Sequence, residues 1–191
     1  MTEDVRLLAG EIGDVAATVS RHLSVMGVPH YIGGSIASSI HGVVRATADI
    51  DFVAFLSPGQ GRSIADAVAG DFYASADAAE EAIRRGASFN LIHLATSLKV
   101  DLFVPADDLL ADSAVARAEQ ADRGLRVASA EDTLLAKLRW YRQTGETSDR
   151  QWNDVLGILR VARHTLSTDY CDRMAAAIGV GDLLKRARGE S

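Results

Sequence analysis

Three aspartates set the chemistry open to this chain. Asp49 and Asp51 stand two apart in the run Ala48-Asp49-Ile50-Asp51-Phe52, and Asp101 stands in Lys99-Val100-Asp101-Leu102-Phe103. Both runs alternate polar and apolar residues, the pattern of a half-buried strand. Alternation puts Asp49 and Asp51 on one face and turns Ile50 and Phe52 into a core. Two carboxylates about 6 to 7 Å apart on one face repel each other unless a cation lies between them. Mg²⁺ is the natural cation, because it takes oxygen ligands and shares them with phosphates. In the second run Val100, Leu102 and Val104 face the core, and Lys99, Asp101 and Phe103 face away. If the two strands are neighbours, Asp101 joins the acidic face, and three carboxylates can hold two metal ions. One ion would activate an attacking hydroxyl, and both would stabilise charge on a transferred phosphorus.

Gly33-Gly34-Ser35 has a matching logic. Glycines allow positive φ and close approach of the backbone to a ligand. A helix beginning there would aim free N–H groups and a positive dipole end at phosphate, and the Ser35 hydroxyl could join them. The pattern of a Walker A loop is absent.

The elements that must position these groups follow from spacing. Residues 3–26 predict an amphipathic helix, with Val5, Leu8, Ile12, Val15, Val19, Leu23 and Met26 on one stripe. His30-Tyr31-Ile32 reads as a strand, 35–42 as a short helix, and 50–56 as a second strand. Residues 62–72 and 77–86 read as helices, the first burying Ile64, Val68 and Phe72. Runs 89–94 and 98–104 predict an antiparallel hairpin, a helix starts near Asp107-Asp108, and 125–128 is a last short strand. Beyond that the chain reads as helical, with segments at 129–144, 149–164, 168–178 and 180–188. Ser129-x-x-Asp132 opens the first of these as a variant capping box. The expected fold class is α/β (α+β): a mixed sheet of four or five strands with helices on one face, followed by a C-terminal helical part.

Composition bounds the rest. The 191 residues suit one domain, or one with a small appendage, and 48% hydrophobic with 24% charged residues argues against disorder and coiled coil. The net charge of −6 excludes a strongly basic nucleic-acid coat protein. It is unevenly spread: residues 1–124 hold nine basic and seventeen acidic side chains, residues 125–191 eleven and nine. The switch near Asp122-Arg123-Gly124 predicts a join between 1–124 and 125–191. A lone cysteine, Cys171, no signal-like N-terminus and no long apolar run lead us to expect a cytoplasmic protein with no membrane association.

The Gly33-Gly34-Ser35 turn, Asp49-Ile50-Asp51 and the later Asp101 together resemble the DNA polymerase β-like nucleotidyltransferase superfamily. The likeness spans about residues 29–104. It implies transfer of a nucleoside monophosphate from an NTP with Mg²⁺, releasing pyrophosphate. The lead-in Arg45-x-Thr47-x-Asp49 looks like the small bacterial members and implies a place for Arg45 near the triphosphate. The stretch 130–138, followed by Asp149-Arg150-Gln151-Trp152-Asn153-Asp154-Val155, is similar to toxin-type enzymes of the abortive-infection and type IV toxin–antitoxin class. That likeness implies that Lys137 binds phosphate and Asp154 assists it. Aminoglycoside nucleotidyltransferases share the same front half.

The implied nucleotide site is therefore Gly33, Gly34, Ser35, Arg45, Lys137 and Asp154, with Asp49, Asp51 and Asp101 as metal ligands. Asp49, Asp51, Asp101 and Lys137 are the catalytic set. The toxin-type likeness implies an acceptor hydroxyl on RNA or tRNA or on protein, with a small aminoglycoside-like molecule as the alternative. An RNA acceptor predicts a basic groove built from Arg139, Arg142, Arg150 and Arg163. A non-catalytic nucleotide-binding or antitoxin module on the same fold is the reading from another class, and the toxin-type likeness implies a cognate antitoxin as partner. His41 and Cys171 read as structural, and His93 has no ligand partner. Trp140, Tyr141 and Trp152 read as core, with base stacking the lesser alternative.

Overall fold

The structure, a computed structural model, describes Leu8 and residues 10–191. Helix α1 (Glu11–Val25) begins after Gly10, which sits at a φ of 72° that suits glycine. Leu8 is buried but lies in a bend, so the helix expected over 3–26 starts later. Val5 and the rest of its first turns lie outside the described residues. The chain continues through β1 (His30–Ile32), α2 (Gly34–His41) and β2 (Asp49–Ala54), then α3 (Gln60–Val68), β3 (Phe72–Ala74) and α4 (Ala76–Arg85). Strands β4 (Ser88–His93) and β5 (Lys99–Phe103) form the expected hairpin, and α5 (Leu109–Arg117) follows. Strands β6 (Glu119–Gln120) and β7 (Arg126–Val127) flank a short 3₁₀ turn. Helices α6 (Ala130–Gln143), α7 (Asp149–Ala162), α8 (Thr168–Ala177) and α9 (Gly181–Glu190) complete the chain.

The sheet is mixed and seven strands wide, in the order β3-β4-β5-β2-β1-β7-β6. It exceeds four or five strands because edge pieces of two or three residues extend both sides. One of them differs in kind from the expectation. Phe72 lies in β3, not at the end of a helix over 62–72, because α3 stops at Val68 and the Gly70–Asp71 turn reverses the chain. Phe72 is still buried, against the hairpin strand β4.

Two apolar clusters hold the molecule. The larger joins Ile50, Phe52, Val100 and Leu102 of the central strands to Val15, Val19 and Leu23 of α1 and Ile64 and Val68 of α3. The second lies among α6 to α9, around Leu134, Leu138, Val155, Ile158, Cys171 and Leu184. Ser129 caps α6 by accepting the Asp132 N–H, as the capping-box pattern predicts. Central strands β2 and β5 thus bury one face under α1 and α3, leaving the acidic face free to border the C-terminal helices.

Candidate active site

Strands β2 and β5 run parallel side by side, with Asp51 level with Asp101 and Asp49 level with Lys99. The register therefore brings all three aspartates to one sheet face, as alternation predicts. It also brings a fourth group, the Lys99 ammonium. Its Nζ lies 2.7 Å from Asp101 Oδ2 and 3.9 Å from Asp49 Oδ1. The Asp101 hydrogen bond holds the Lys99 pKa above its ordinary value, against a smaller opposing effect of burial.

Asp51 sits deepest. Burial pushes its carboxyl above the ordinary carboxylate value, and the neighbouring Asp101 and Asp49 charges act in the same direction. The Ser35 N–H donates to Asp51 Oδ2 at 3.3 Å and partly opposes the rise. Gly34 makes this contact possible. Its φ is 55°, and a Cβ there would lie 1.8 Å from Asp51 Oδ2. The glycine is required twice over, for its backbone and for the space the carboxylate fills.

Behind Ser35 stands a second, buried constellation. The Asp154 carboxylate of α7 accepts from Lys137 Nζ at 2.8 Å and from Arg45 Nε at 3.1 Å. The Lys137 and Asp154 side chains are only 6% and 8% exposed, so each needs the other. Burial alone would raise the Asp154 pKa. The hydrogen bonds from Arg45 and Lys137 reverse this and hold it below the usual value. Burial lowers the Lys137 pKa, with Asp154 working against it. Arg45 also donates through Nη2 to Ser35 Oγ at 2.5 Å, and Arg150 Nη2 reaches the same hydroxyl at 3.3 Å.

These groups border one open cleft of about 740 Å³ between the sheet and helices α6 and α7. Gly33, Gly34, Ser35, Asp49, Asp51 and Lys137 line it. Arg45 and Asp154 stand behind the Ser35 wall, and Asp101 lies beneath Lys99 and is not part of the lining. The nine residues singled out from sequence are thus drawn together, in two groups that meet at Ser35. Lys99 was not given a role from the sequence, and Arg150 entered only as part of an expected RNA groove. The strand alternation that exposes Asp101 equally exposes Lys99, so the signal was present. Helical spacing would also pair Arg150 with Asp154 one turn along, and that pairing is not made.

Other expectations resolve simply. His41 Nε2 contacts the Ala128 carbonyl oxygen at 2.7 Å, and His93 Nδ1 contacts Thr96 Oγ1 in the hairpin turn. Cys171 is buried, which pushes its thiol up to about 11. Tyr141 and Trp152 are core residues, whereas Trp140 is 47% exposed at the cleft rim. Of the four arginines expected to form a basic groove, Arg139 and Arg150 line the cleft. Arg142 is turned to Glu146 and Asp182.

Among the described residues no three His, Cys, Asp or Glu side chains converge into a ready-made metal cage. The donor set still fits Mg²⁺, which is commonly held by one or two carboxylates completed by substrate phosphates and water. Asp51 is buried beside like charges, and a cationic ammonium already lies among these carboxylates.

No protein-family model and no curated protein sequence matches the chain. Among solved structures it is similar to an antigenic nucleotidyltransferase-like protein from Paracoccidioides brasiliensis. That similarity has 14% identity, covers 95% of this chain and 93% of that one, and has a TM-score of 0.54. The chain has a nucleotidyltransferase fold. The solution structure of the antibiotic-resistance factor ANT(2'')-Ia is 17% identical over 91% of this chain and 95% of that one, with a TM-score of 0.48. A crystal structure of ANT(2'')-Ia in complex with adenylyl-2''-tobramycin is 16% identical over 84% of this chain and 92% of that one, with a TM-score of 0.44. On this nucleotidyltransferase fold the acidic face and the Gly33–Ser35 turn open into a single cleft. Among the described residues no helix is long and apolar enough to cross a membrane.

Proposed function

We propose that this protein is an Mg²⁺-dependent nucleotidyltransferase that moves a nucleoside monophosphate from an NTP to an acceptor hydroxyl. The observation that carries this reading is the position of Ser35. Its N–H meets the Asp51 carboxylate and its hydroxyl meets the cationic cluster, so one residue separates an acidic pole from a basic one. A polyphosphate laid across that turn has its reacting end at the acids and its leaving end at the cations.

Asp49 and Asp51 would hold the metal, and its chemistry when bound is to offset charge at the α-phosphorus. The Gly33–Ser35 turn and Lys137 bind the phosphates, and Asp154 fixes Lys137 and Arg45 in place. The acceptor oxygen forms a bond to the α-phosphorus, and the bond from that phosphorus to the bridging oxygen breaks. The electron pair leaves with pyrophosphate, and the hydroxyl proton passes to water in the open cleft; Asp101, expected as a third metal ligand, is held by Lys99 beside that cleft. We divide the labour between residues 1–124, which carry the acids and the glycine turn, and residues 125–191, which bring Lys137 and Asp154. The two apolar clusters follow that division only in outline, since Leu125, Val127 and Ala128 pack in the first and Leu110 in the second.

For the acceptor we favour a small hydroxyl-bearing molecule that is neutral or cationic. The charged groups lining the cleft are Asp49, Asp51, Asp108 and Asp132 against Lys137, Arg139 and Arg150, a mixture hostile to a polyanionic backbone. The cleft volume also lies in the range of small-molecule sites, roughly 300–1,000 Å³.

The test is incubation with each NTP labelled at the α-phosphorus, with Mg²⁺ and a cell extract as the source of acceptors. Labelled product and pyrophosphate should form, and the double variant Asp49→Asn, Asp51→Asn should form neither. Nucleotide binding without pyrophosphate release would establish the non-catalytic module instead.

A further inference from the structure

Arg150 is a cation in an unfavourable place. It lies in the first turn of α7, where the helix dipole disfavours positive charge. It is exposed, it lines the cleft, and among the described residues it makes no ion pair. Asp154, one helical turn along, is the carboxylate it should meet by spacing. That carboxylate is taken by Lys137 and Arg45 instead. The polar contact recorded for the Arg150 guanidinium is with the Ser35 hydroxyl, at 3.3 Å. A residue that breaks a local rule without a compensating partner inside the fold is expected to find one in a ligand.

The neighbours say which ligand. Arg45 and Lys137 share one carboxylate, Asp154, and Arg150 meets Arg45 at the Ser35 hydroxyl, so the basic pole carries two charges in excess. Arg45 is committed to Asp154 and Ser35 behind the wall, and Lys137 to Asp154. Arg150 is the member whose planar N–H fork remains open to the cleft. A guanidinium fork matches the oxygens of a phosphate with two parallel hydrogen bonds.

We propose that Arg150 binds the terminal phosphates of the NTP and holds the departing pyrophosphate. Arg45 does not contact them and acts by fixing Ser35. This rests on the nucleotidyltransferase reading and deepens it. Arg150 makes the cleft select a diphosphate or longer anion over a single phosphate. It takes up charge on the leaving oxygen as the bond to the α-phosphorus breaks.

Inorganic pyrophosphate is the probe, because it needs no knowledge of the preferred base. Calorimetric titration with Mg²⁺ present should show the wild-type protein binding pyrophosphate more tightly than phosphate. Arg150→Ala should weaken pyrophosphate binding roughly tenfold or more, as expected for loss of a charged hydrogen-bonding group. Arg150→Lys should recover part of the loss. In turnover Arg150→Ala should raise the KM for the NTP. Arg160→Ala removes the same charge from the last turn of the same helix and should leave pyrophosphate binding unchanged. Equal losses in the Arg150 and Arg160 variants, or undiminished binding in Arg150→Ala, would overturn this inference alone. Absence of pyrophosphate binding in the wild type would overturn the nucleotidyltransferase reading with it.

Discussion

Asp51 shows how function and stability oppose each other within one side chain. Its folded-state pKa is raised, so the folded protein binds a proton there more readily than the unfolded chain does. The resulting penalty is absent below the unfolded value of 3.8. It grows as pH rises through that value to the folded pKa and stays constant above. Asp51→Asn is therefore expected to raise the melting temperature by a few degrees at neutral pH and to lose that gain in acid. The same variant should reduce nucleotidyl transfer by about 100-fold or more, since even outer groups around a metal are worth ~10–100-fold. Thermal melts across pH, set beside turnover, check both halves. An unchanged melt at neutral pH would mean Asp51 is not strained by burial. Gly34→Ala tests the adjoining residue. The left-handed backbone alone costs about 1–2 kcal/mol for an L-residue. The methyl would also collide with Asp51 Oδ2, so transfer should fall along with stability, measured by denaturant unfolding.

At the scale of elements, the site exists because two helices and a loop are pinned to one strand–turn unit. Asp154 is the pin, joining the loop that bears Arg45 to α6 and α7. Asp154→Ala strands the Lys137 ammonium in a buried place, and breaking such a pair costs about 3–5 kcal/mol. The double variant Asp154→Ala, Lys137→Met should recover much of that loss while remaining inactive, a coupling that denaturant titration of both variants reads directly. The Lys137 pKa is lowered from 10.5 in the fold, so the single variant should regain stability as pH rises toward that value. A flat profile would mean that water reaches the ammonium. Much of this arrangement was legible beforehand. Alternation in β2 and β5 put the acids on one face, and the capping pattern at Ser129 placed the start of α6 and hence Lys137. What stayed hidden depends on contacts between distant segments. No local pattern reveals that Asp154 prefers Arg45 and Lys137 to the nearby Arg150, because the choice is made by how α7 packs. The β3 strand was hidden for a related reason. Phe72 continues the apolar stripe of α3 with helical spacing, and only pairing with β4 makes it extended.

At the scale of the whole molecule, the net charge of −6 does not describe the surface a substrate meets. Part of the basic charge of residues 125–191 is met by acids at the surface: Arg142 by Asp182, Arg186 by Glu190 and Arg188 by Asp172. Arg160, Arg163 and Lys185 do not line the cleft. Arg126 is turned to the backbone carbonyls of Val115 and Ala118. What remains at the cleft is local: Arg139 is paired with Asp108 and Lys137 with Asp154. Affinity for a nucleic-acid backbone grows with the number of phosphates that cations neutralise, and it falls steeply with salt in proportion. With so few free cations at the cleft, RNA binding there should be weak, and the logarithm of its affinity should fall with log salt at a slope of about −1 to −2. NTP binding should persist at salt concentrations that abolish RNA binding, because Lys137 acts from a buried position that salt screens poorly. Fluorescence titration of labelled RNA over a salt series, beside calorimetry of the NTP, makes the comparison. A steep slope, with RNA bound tightly at low salt, would reverse our choice of acceptor and return the rim of the cleft, where Trp140 and Arg139 stand exposed or half-exposed, to an RNA strand.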